Sequence, residues 1–292
     1  MGKIFTYIKI ALLLMFSSFA VAGQAQQTIA YIAYTEGFWQ AWVMAPDGTQ
    51  QQQVTKSPYD KSRLSWYPDG KHLLVNGNQG ELYRLAVDNG QETAVELPLQ
   101  GMYDAQLSPD GKQIVFSLSP AGTSDGNEVW LVNADGSNLR KQTNMQWLQH
   151  DPNWSVDGKS VYFLSTDGAG GHNVWELSLA DNRRRQLTVN NHMHFDVTVS
   201  HTGELAYSSN RSGNYEIWVQ SPDKDARQVT RHPALDGKPA WSPDGEQLLF
   251  ESTRNGASNL WMMEPGSDAV QLTDHPQGAR APVWFHGGGA RS

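Results

Sequence analysis

The chain has 292 residues, a formal charge of −8 and no cysteine. The acidic balance argues against nucleic acid or an anionic membrane surface as a partner. The lack of cysteine excludes disulfides, thiolate metal sites, a cysteine nucleophile and a lipidated N-terminal cysteine.

Residues 1–22 stand apart from the rest of the chain. Lys3 and Lys9 precede an apolar run from Ile10 to Phe16, and Ala20-Val21-Ala22 fits a small-x-small cleavage site. This pattern predicts a cleaved secretory signal peptide, with an uncleaved anchor as the alternative reading. No later apolar run is long enough to span a bilayer, so no stable membrane insertion is expected after cleavage. Residues 23–292 then form one domain, and an exported, cysteine-free, monomeric protein fits a bacterial periplasm.

From there the chain is a repeat. Related pentads end at Gly70 (WYPDG), Gly111 (LSPDG), Gly158 (WSVDG), Gly203 (VSHTG), Gly245 (WSPDG) and Gly287 (WFHGG), at steps of 41, 47, 45, 42 and 42 residues. A period of this size marks a propeller or an array. Each unit has four strand-like parts. Part A ends in the pentad. Part B follows the glycine, as in KQIVFSL or EQLLFES. Part C carries an aromatic: Trp42, Tyr83, Trp130, Trp175, Trp218 and Trp261. Part D is short and ends in Gln-x-Thr at Thr55, Thr188, Thr230 and Thr273, and in the shorter Lys141-Gln142-Thr143 at Thr143; the second unit has Val95-Glu96-Leu97 instead. β-Branched and aromatic runs bounded by Gly, Asn, Asp and Pro read as strands joined by turns. In Pro-Asp-Gly, proline presets φ, Asp tolerates the bridge or left-handed region and Gly takes positive φ without steric cost.

Six A, six B, six C and six D parts can be counted, beginning with B at Ile29–Tyr34 and ending with A at Pro282–Phe285. The fold expected is therefore all-β: a six-bladed β-propeller of four-stranded antiparallel blades, its ring closed by the last strand joining the N-terminal set. The recurring Trp residues are expected to pack blade on blade.

The run RQVTRHPALDGKPAWSPDGEQLLFESTRNGASNLWMM, Arg227 to Met263, resembles a blade of the TolB-type β-propeller family, and Asn210-Arg211-Ser212-Gly213-Asn214-Tyr215 repeats its loop one blade earlier. The resemblance implies a periplasmic propeller that binds an envelope protein such as the lipoprotein Pal. TolB proper also carries an α/β domain before its propeller, and the six residues from Gly23 to Thr28 are expected to be too few to hold one.

The D–A loops, all on one end of a propeller, hold much of the histidine. His150 and Asp151, His192, His194 and Asp196, His232 and Asp236, and His275 and Arg280 fall there, with Asp104 in the second unit and Asp60 and Arg63 in the first. Closure of the ring would bring these onto one rim as a face for a protein or ligand. His-Pro after Gln-x-Thr also reads simply as a turn, and an Asp beside the A strand can bond loop amides. His192-x-His194 is a candidate for a divalent metal. The enzyme alternative is a metal-dependent carbohydrate-cleaving propeller similar to oligogalacturonate lyases; a small-ligand sensor is the other. No catalytic set and no required cofactor can be assigned. Gly122-Thr123-Ser124-Asp125-Gly126 matches a nucleophile elbow but lacks the strand–turn–helix setting that motif requires, and His286-Gly287-Gly288-Gly289 has no hydrolase domain after it.

Overall fold

A computed structural model describes residues 28–99, 101–118, 127–166, 171–190 and 192–287. The leader at 1–22, the Gly122–Gly126 string and the end of the Gly287–Gly289 run lie outside the described residues.

Twenty-four strands, β1 to β24 in chain order, form six four-stranded antiparallel sheets among the described residues. Each sheet is one blade. The inner strands are β4 (Lys61–Trp66), β8 (Tyr103–Leu107), β12 (Gln149–Trp154), β16 (His194–Val199), β20 (Asp236–Trp241) and β24 (Ala279–Trp284). In five blades the inner strand begins the blade and the next three strands follow outward. In blade I the last strand, β24, pairs with β1 (Ile29–Thr35), which continues through β2 (Phe38–Met44) and β3 (Gln52–Gln53). Blades II to VI begin at β4, β8, β12, β16 and β20. The ring is thus closed by the two ends of the propeller sequence, with Ile29 opposite Trp284 and Ala33 opposite Ala279. Closure supplies blade I with its fourth strand, so that all six blades are four-stranded.

Period-two alternation buries both faces of each blade. In β1, Ile29, Tyr31 and Ala33 pack toward blade VI with Leu249 and Leu260, while Ala30 and Ile32 pack toward blade II with Leu73 and Val75. Six such clusters fill the six blade interfaces. Pentad tryptophans are wedges in them: Trp154, Trp241 and Trp284 are buried, and the Trp66 and Trp154 indoles donate to the carbonyls of Val283 (3.4 Å) and Gln106 (3.1 Å) on the preceding inner strand.

The pentad turn is a self-contained unit. Asp110 accepts from the Lys112 amide (3.0 Å) and the Ser108 hydroxyl (2.6 Å), and the Gly111 amide donates back to the Ser108 carbonyl (2.8 Å). The glycines at 70, 111, 158, 203 and 245 have φ between 63° and 85°, the left-handed region where a Cβ is penalised. The Gln-x-Thr threonines have one job in five blades. Each hydroxyl accepts a C-strand amide, at 2.8–2.9 Å from Ala41, Val129, Val174, Ile217 and Leu260, locking the outer strand to its neighbour.

Because all strands are antiparallel, the A–B and C–D turns share one end of the propeller, the turn end. The D–A and B–C loops share the other, the loop end.

Candidate functional site

Every inner strand carries a bulge. In β12, β16, β20 and β24 the third and fourth residues together oppose a single residue of the neighbouring strand, in β8 the second and third (Asp104 and Ala105) do so, and in β4 the irregularity falls at Ser62. Asp104, Asp151, Asp196, Lys238 and Ala281 lie at these bulges and have φ between 49° and 60°. A bulge of this kind breaks the alternation and re-aims a side chain. Here it turns one residue of each blade into the central channel. Around the ring from blade II, these positions are Arg63, Asp104, Asp151, Asp196, Lys238 and Ala281. Three consecutive carboxylates are flanked by two cations, and the sixth position is uncharged.

The cations bind this arc tightly. The Arg63 guanidinium reaches past its neighbour to bond Asp151 and lies 3.3 Å from Asp104. With its amide oxygen turned to Arg63, Gln106 accepts from Nε (2.8 Å) and donates to Asn153 Oδ1 (2.8 Å). Lys238 Nζ bonds Asp196, whose other oxygen accepts from Ser208 Oγ (3.2 Å) and the Lys238 amide (3.3 Å). Burial opposes ionisation of Asp151, but the charges of Arg63 and Lys238 outweigh it and hold the carboxyl down to about 2. Burial likewise opposes the charges of Arg63 and Lys238; Asp151 and Asp104 for the former, Asp196 and Asp151 for the latter, raise both above their ordinary values. Glu251, behind the ring, accepts from the Ala281 amide (2.7 Å), and burial pushes its carboxyl up.

Beyond the ring the channel widens into a cavity of about 1020 Å³ that runs to the pentad turns at the turn end. Its floor is the charged ring. Its walls are Gln106, Asn153, Thr198, Ala240 and Val283, and the pentad prolines and tryptophans follow at the mouth.

The histidines and acids expected on one rim divide into three groups. Arg63, Asp104, Asp151 and Asp196 converge in the channel. His194 and Asp236 occupy the first position of their strands, where the side chain is fully buried in the wall. Asp236 bonds Arg254 Nη2 (2.7 Å); His194 Nε2 meets Asn190 Oδ1 (3.0 Å), its ring packs edge-on against Tyr207, and burial lowers its pKa to about 4. The remainder belong to the loop end. His150 Nε2 lies 3.2 Å from His172 Nδ1 beside Phe195, and burial lowers its pKa. His192 is exposed. His232 Nδ1 accepts the Ala234 amide (3.0 Å), as a turn residue would. His275 packs against Trp42 at 4.9 Å, and the Arg280 guanidinium lies 3.8 Å over Trp39. Asp60 accepts the Trp39 amide (2.9 Å). His192 is thus in solvent while His194 is in the wall. Among the described residues no three His, Asp or Glu side chains are grouped to hold a metal ion.

Lys238, Glu251, Gln106 and Asn153 were not among the expected site residues. The first had a usable signal: it is the third residue of its inner strand, in register with the Asp residues that were singled out.

The loop end also carries the exposed apolar side chains. Among the described residues, five large hydrophobics are exposed: Tyr103, Trp147, Val189, Leu235 and Val270. Tyr103 opens the inner strand of blade III, Trp147, Val189 and Leu235 sit in the D–A segments leading into blades IV, V and VI, and Val270 lies on an outer strand.

The profile of the TolB beta propeller domain matches residues 100–284. Among curated proteins, the chain is 29% identical over 129 residues to the Tol-Pal system protein TolB of Anaeromyxobacter dehalogenans, a match covering 43% of this chain and 29% of that protein. The chain therefore spans under a third of the length of that relative. Among solved structures, TolB from Acinetobacter baumannii superposes with a TM-score of 0.78 at 21% identity, over 90% of this chain and 67% of the other. A manganese-bound oligogalacturonate lyase reaches 0.58 at 16% identity, over 82% and 86%. Both structural likenesses concern the fold.

Proposed function

Since the chain belongs to the TolB β-propeller family, we propose that it is a protein-binding module of the bacterial envelope, exported to the periplasm and engaging its partner through the loop end. The observation that carries this reading is the arc of Tyr103, Trp147, Val189 and Leu235, one from each of four successive blades, presented to solvent on one end of the propeller. Apolar side chains gathered on one surface favour association, and aromatic residues are frequent anchors of binding energy. The Tol-Pal name of the relatives supports a partner of the Pal type.

The test is calorimetric titration of residues 23–292 with the purified Pal-type lipoprotein of the same organism, its lipid removed. Saturable binding that weakens at least about tenfold in the Trp147→Ala, Leu235→Ala double variant supports the proposal, a loss of about 1.4 kcal/mol. No binding, or binding indifferent to the double variant, contradicts it.

A further inference from the structure

The channel ring is unbalanced, and its imbalance is localised. Three carboxylates face two cations, which leaves one negative charge in excess. The cations do not share themselves evenly. Asp196 uses both oxygens, on Lys238, its amide and Ser208. Asp151 uses one: Oδ1 bonds Arg63, while Oδ2 has no hydrogen-bond partner although the residue is only 6% exposed. Asp104 is held by Arg63 at 3.3 Å through one oxygen, and its side chain is 37% exposed. Spare acceptor capacity therefore collects on two adjacent blades, at the floor of a 1020 Å³ cavity that opens at the turn end. A buried carboxylate oxygen left without a donor is costly, and a charged donor is what satisfies it best.

We propose that this cavity is a binding site for a single organic cation, an alkylammonium or guanidinium group, which enters from the turn end and is held by Asp104 and Asp151. A guanidinium or ammonium brings several N–H donors and one positive charge, which matches the two spare acceptors and the single excess charge. Floor and mouth are separated by three residue steps along the inner strand, as from Asp104 to Leu107 or from Asp151 to Trp154, a depth of about 10 Å at the usual strand rise. That depth admits a lysine- or arginine-length side chain end-on. Arg63 already occupies part of the arc from inside the protein, so the ligand joins it rather than replacing it. Lys238 borders the arc and opposes a second cation. The walls at Thr198, Ala240 and Val283 are neutral, and the other charged side chains of the lining, Asp110, Lys112, Asp157, Lys159 and Glu176, belong to its outer part.

This site is separate from the proposed partner surface, because it opens at the opposite end of the propeller. The group can come from a free amine or from a protein side chain, and the test separates them. The chain is titrated calorimetrically with methylguanidinium, with n-butylammonium and with an acetylated, amidated Gly-Arg-Gly tripeptide, with tetramethylammonium, which has no N–H donor, as comparison. The proposal expects saturable one-to-one binding of the donor-bearing cations. Binding by the small cations alone marks a free-amine site; binding by the tripeptide as well marks a site that takes a protein side chain. Asp104→Asn is expected to weaken binding about tenfold. Lys238→Gln is expected to tighten it, a gain that a damaged fold does not produce. Arg227→Gln, on the outer strand β19 and away from the cavity, serves as the control without effect, and the melting temperature of each variant checks the fold. No saturable binding of either small cation, or equal affinity in the wild type, Asp104→Asn and Lys238→Gln proteins, overturns the proposal. So does binding of calcium with none of the organic cations. Failure here together with intact partner binding at the loop end leaves the proposed function standing.

Discussion

The two ends of the propeller are built from the same strands but in opposite ways. At the turn end the pentads closing at Gly111, Gly158 and Gly245 satisfy their own polar groups: the Asp accepts, the Ser hydroxyl bridges and the Gly closes the turn. The charged residues left over, such as Lys112 and Lys159, point into water. At the loop end the polar groups are drawn inward. Lys61, Gln149, His194 and Asp236 are buried at the heads of their strands, and the solvent-facing positions include Tyr103, Trp147, Val189 and Leu235. A turn that closes on itself can be copied from blade to blade. A loop end whose polar groups are tied into the wall leaves its surface residues free to differ, and that is where the six blades do differ.

This contrast can be broken from either side. The largest effect is expected from Asp236→Ala at the loop end. Asp236 is fully buried and bonds Arg254, itself only 14% exposed. Removing the acid strands a mostly buried guanidinium, and a loss of about 3–5 kcal/mol is expected in denaturant unfolding.

Acid should act on the loop end next. His194 is held neutral by burial, with a folded pKa of about 4 against an ordinary value of 6.5. The unfolded chain therefore binds the proton first, so the stability contributed by neutral His194 is complete above the unfolded value and is lost as pH falls from 6.5 toward 4. The expected slope is at most about 1.4 kcal/mol per pH unit. His150 and His275, also lowered by burial, act in the same direction. Asp151 adds nothing in that window: with a folded pKa of about 2 it remains ionised, and its contribution is lost only below its ordinary value of 3.8. Unfolding curves from about pH 7 to about pH 4.5 should flatten in His194→Gln, whose amide can still bond Asn190; an unchanged slope would remove His194 from the account.

At the turn end, Gly245→Ala tests the copied turn. Gly245 has φ +73°, and an added Cβ would lie 2.9 Å from His201 Nδ1. The left-handed penalty is about 1–2 kcal/mol, and the contact adds to it. Gly101→Ala, at the matching φ of +76° with nothing within 4 Å of the added atom, carries the backbone penalty without the clash, so thermal melts of the pair separate the two. The smallest stability effect belongs to Trp147→Ala with Leu235→Ala, within about 0.5 kcal/mol for exposed side chains, although the same pair should reduce partner binding.

Much of this architecture is legible in the sequence because the turn end repeats. Pro-Asp-Gly, Gln-x-Thr and the C-strand aromatic mark each blade, and the lone sixth pentad at Trp284 points to closure by the N-terminal strands, as β24 on β1 bears out. The channel is harder to read. Alternation alone sends the third residue of an inner strand toward a neighbouring blade, and only the bulge turns it to the axis. Asp104, Asp151 and Asp196 stand out for their charge, whereas Lys238 gains meaning only from that register. His194 and Asp236 look like rim residues in the sequence because nothing local distinguishes the last loop residue from the first, buried residue of the strand. Trp147 and Leu235 carry no sequence signal, since a lone apolar residue in a loop has no period to judge it by.

The loop end is the proposed binding end. Hydrogen-exchange footprinting of the chain with and without the purified Pal-type lipoprotein tests it most directly. The account predicts added protection in residues 97–103, 144–150, 189–195 and 231–237, with the pentad turns at 67–70, 108–111 and 242–245 unchanged. Protection concentrated at those pentad turns, or none at either end, would contradict it.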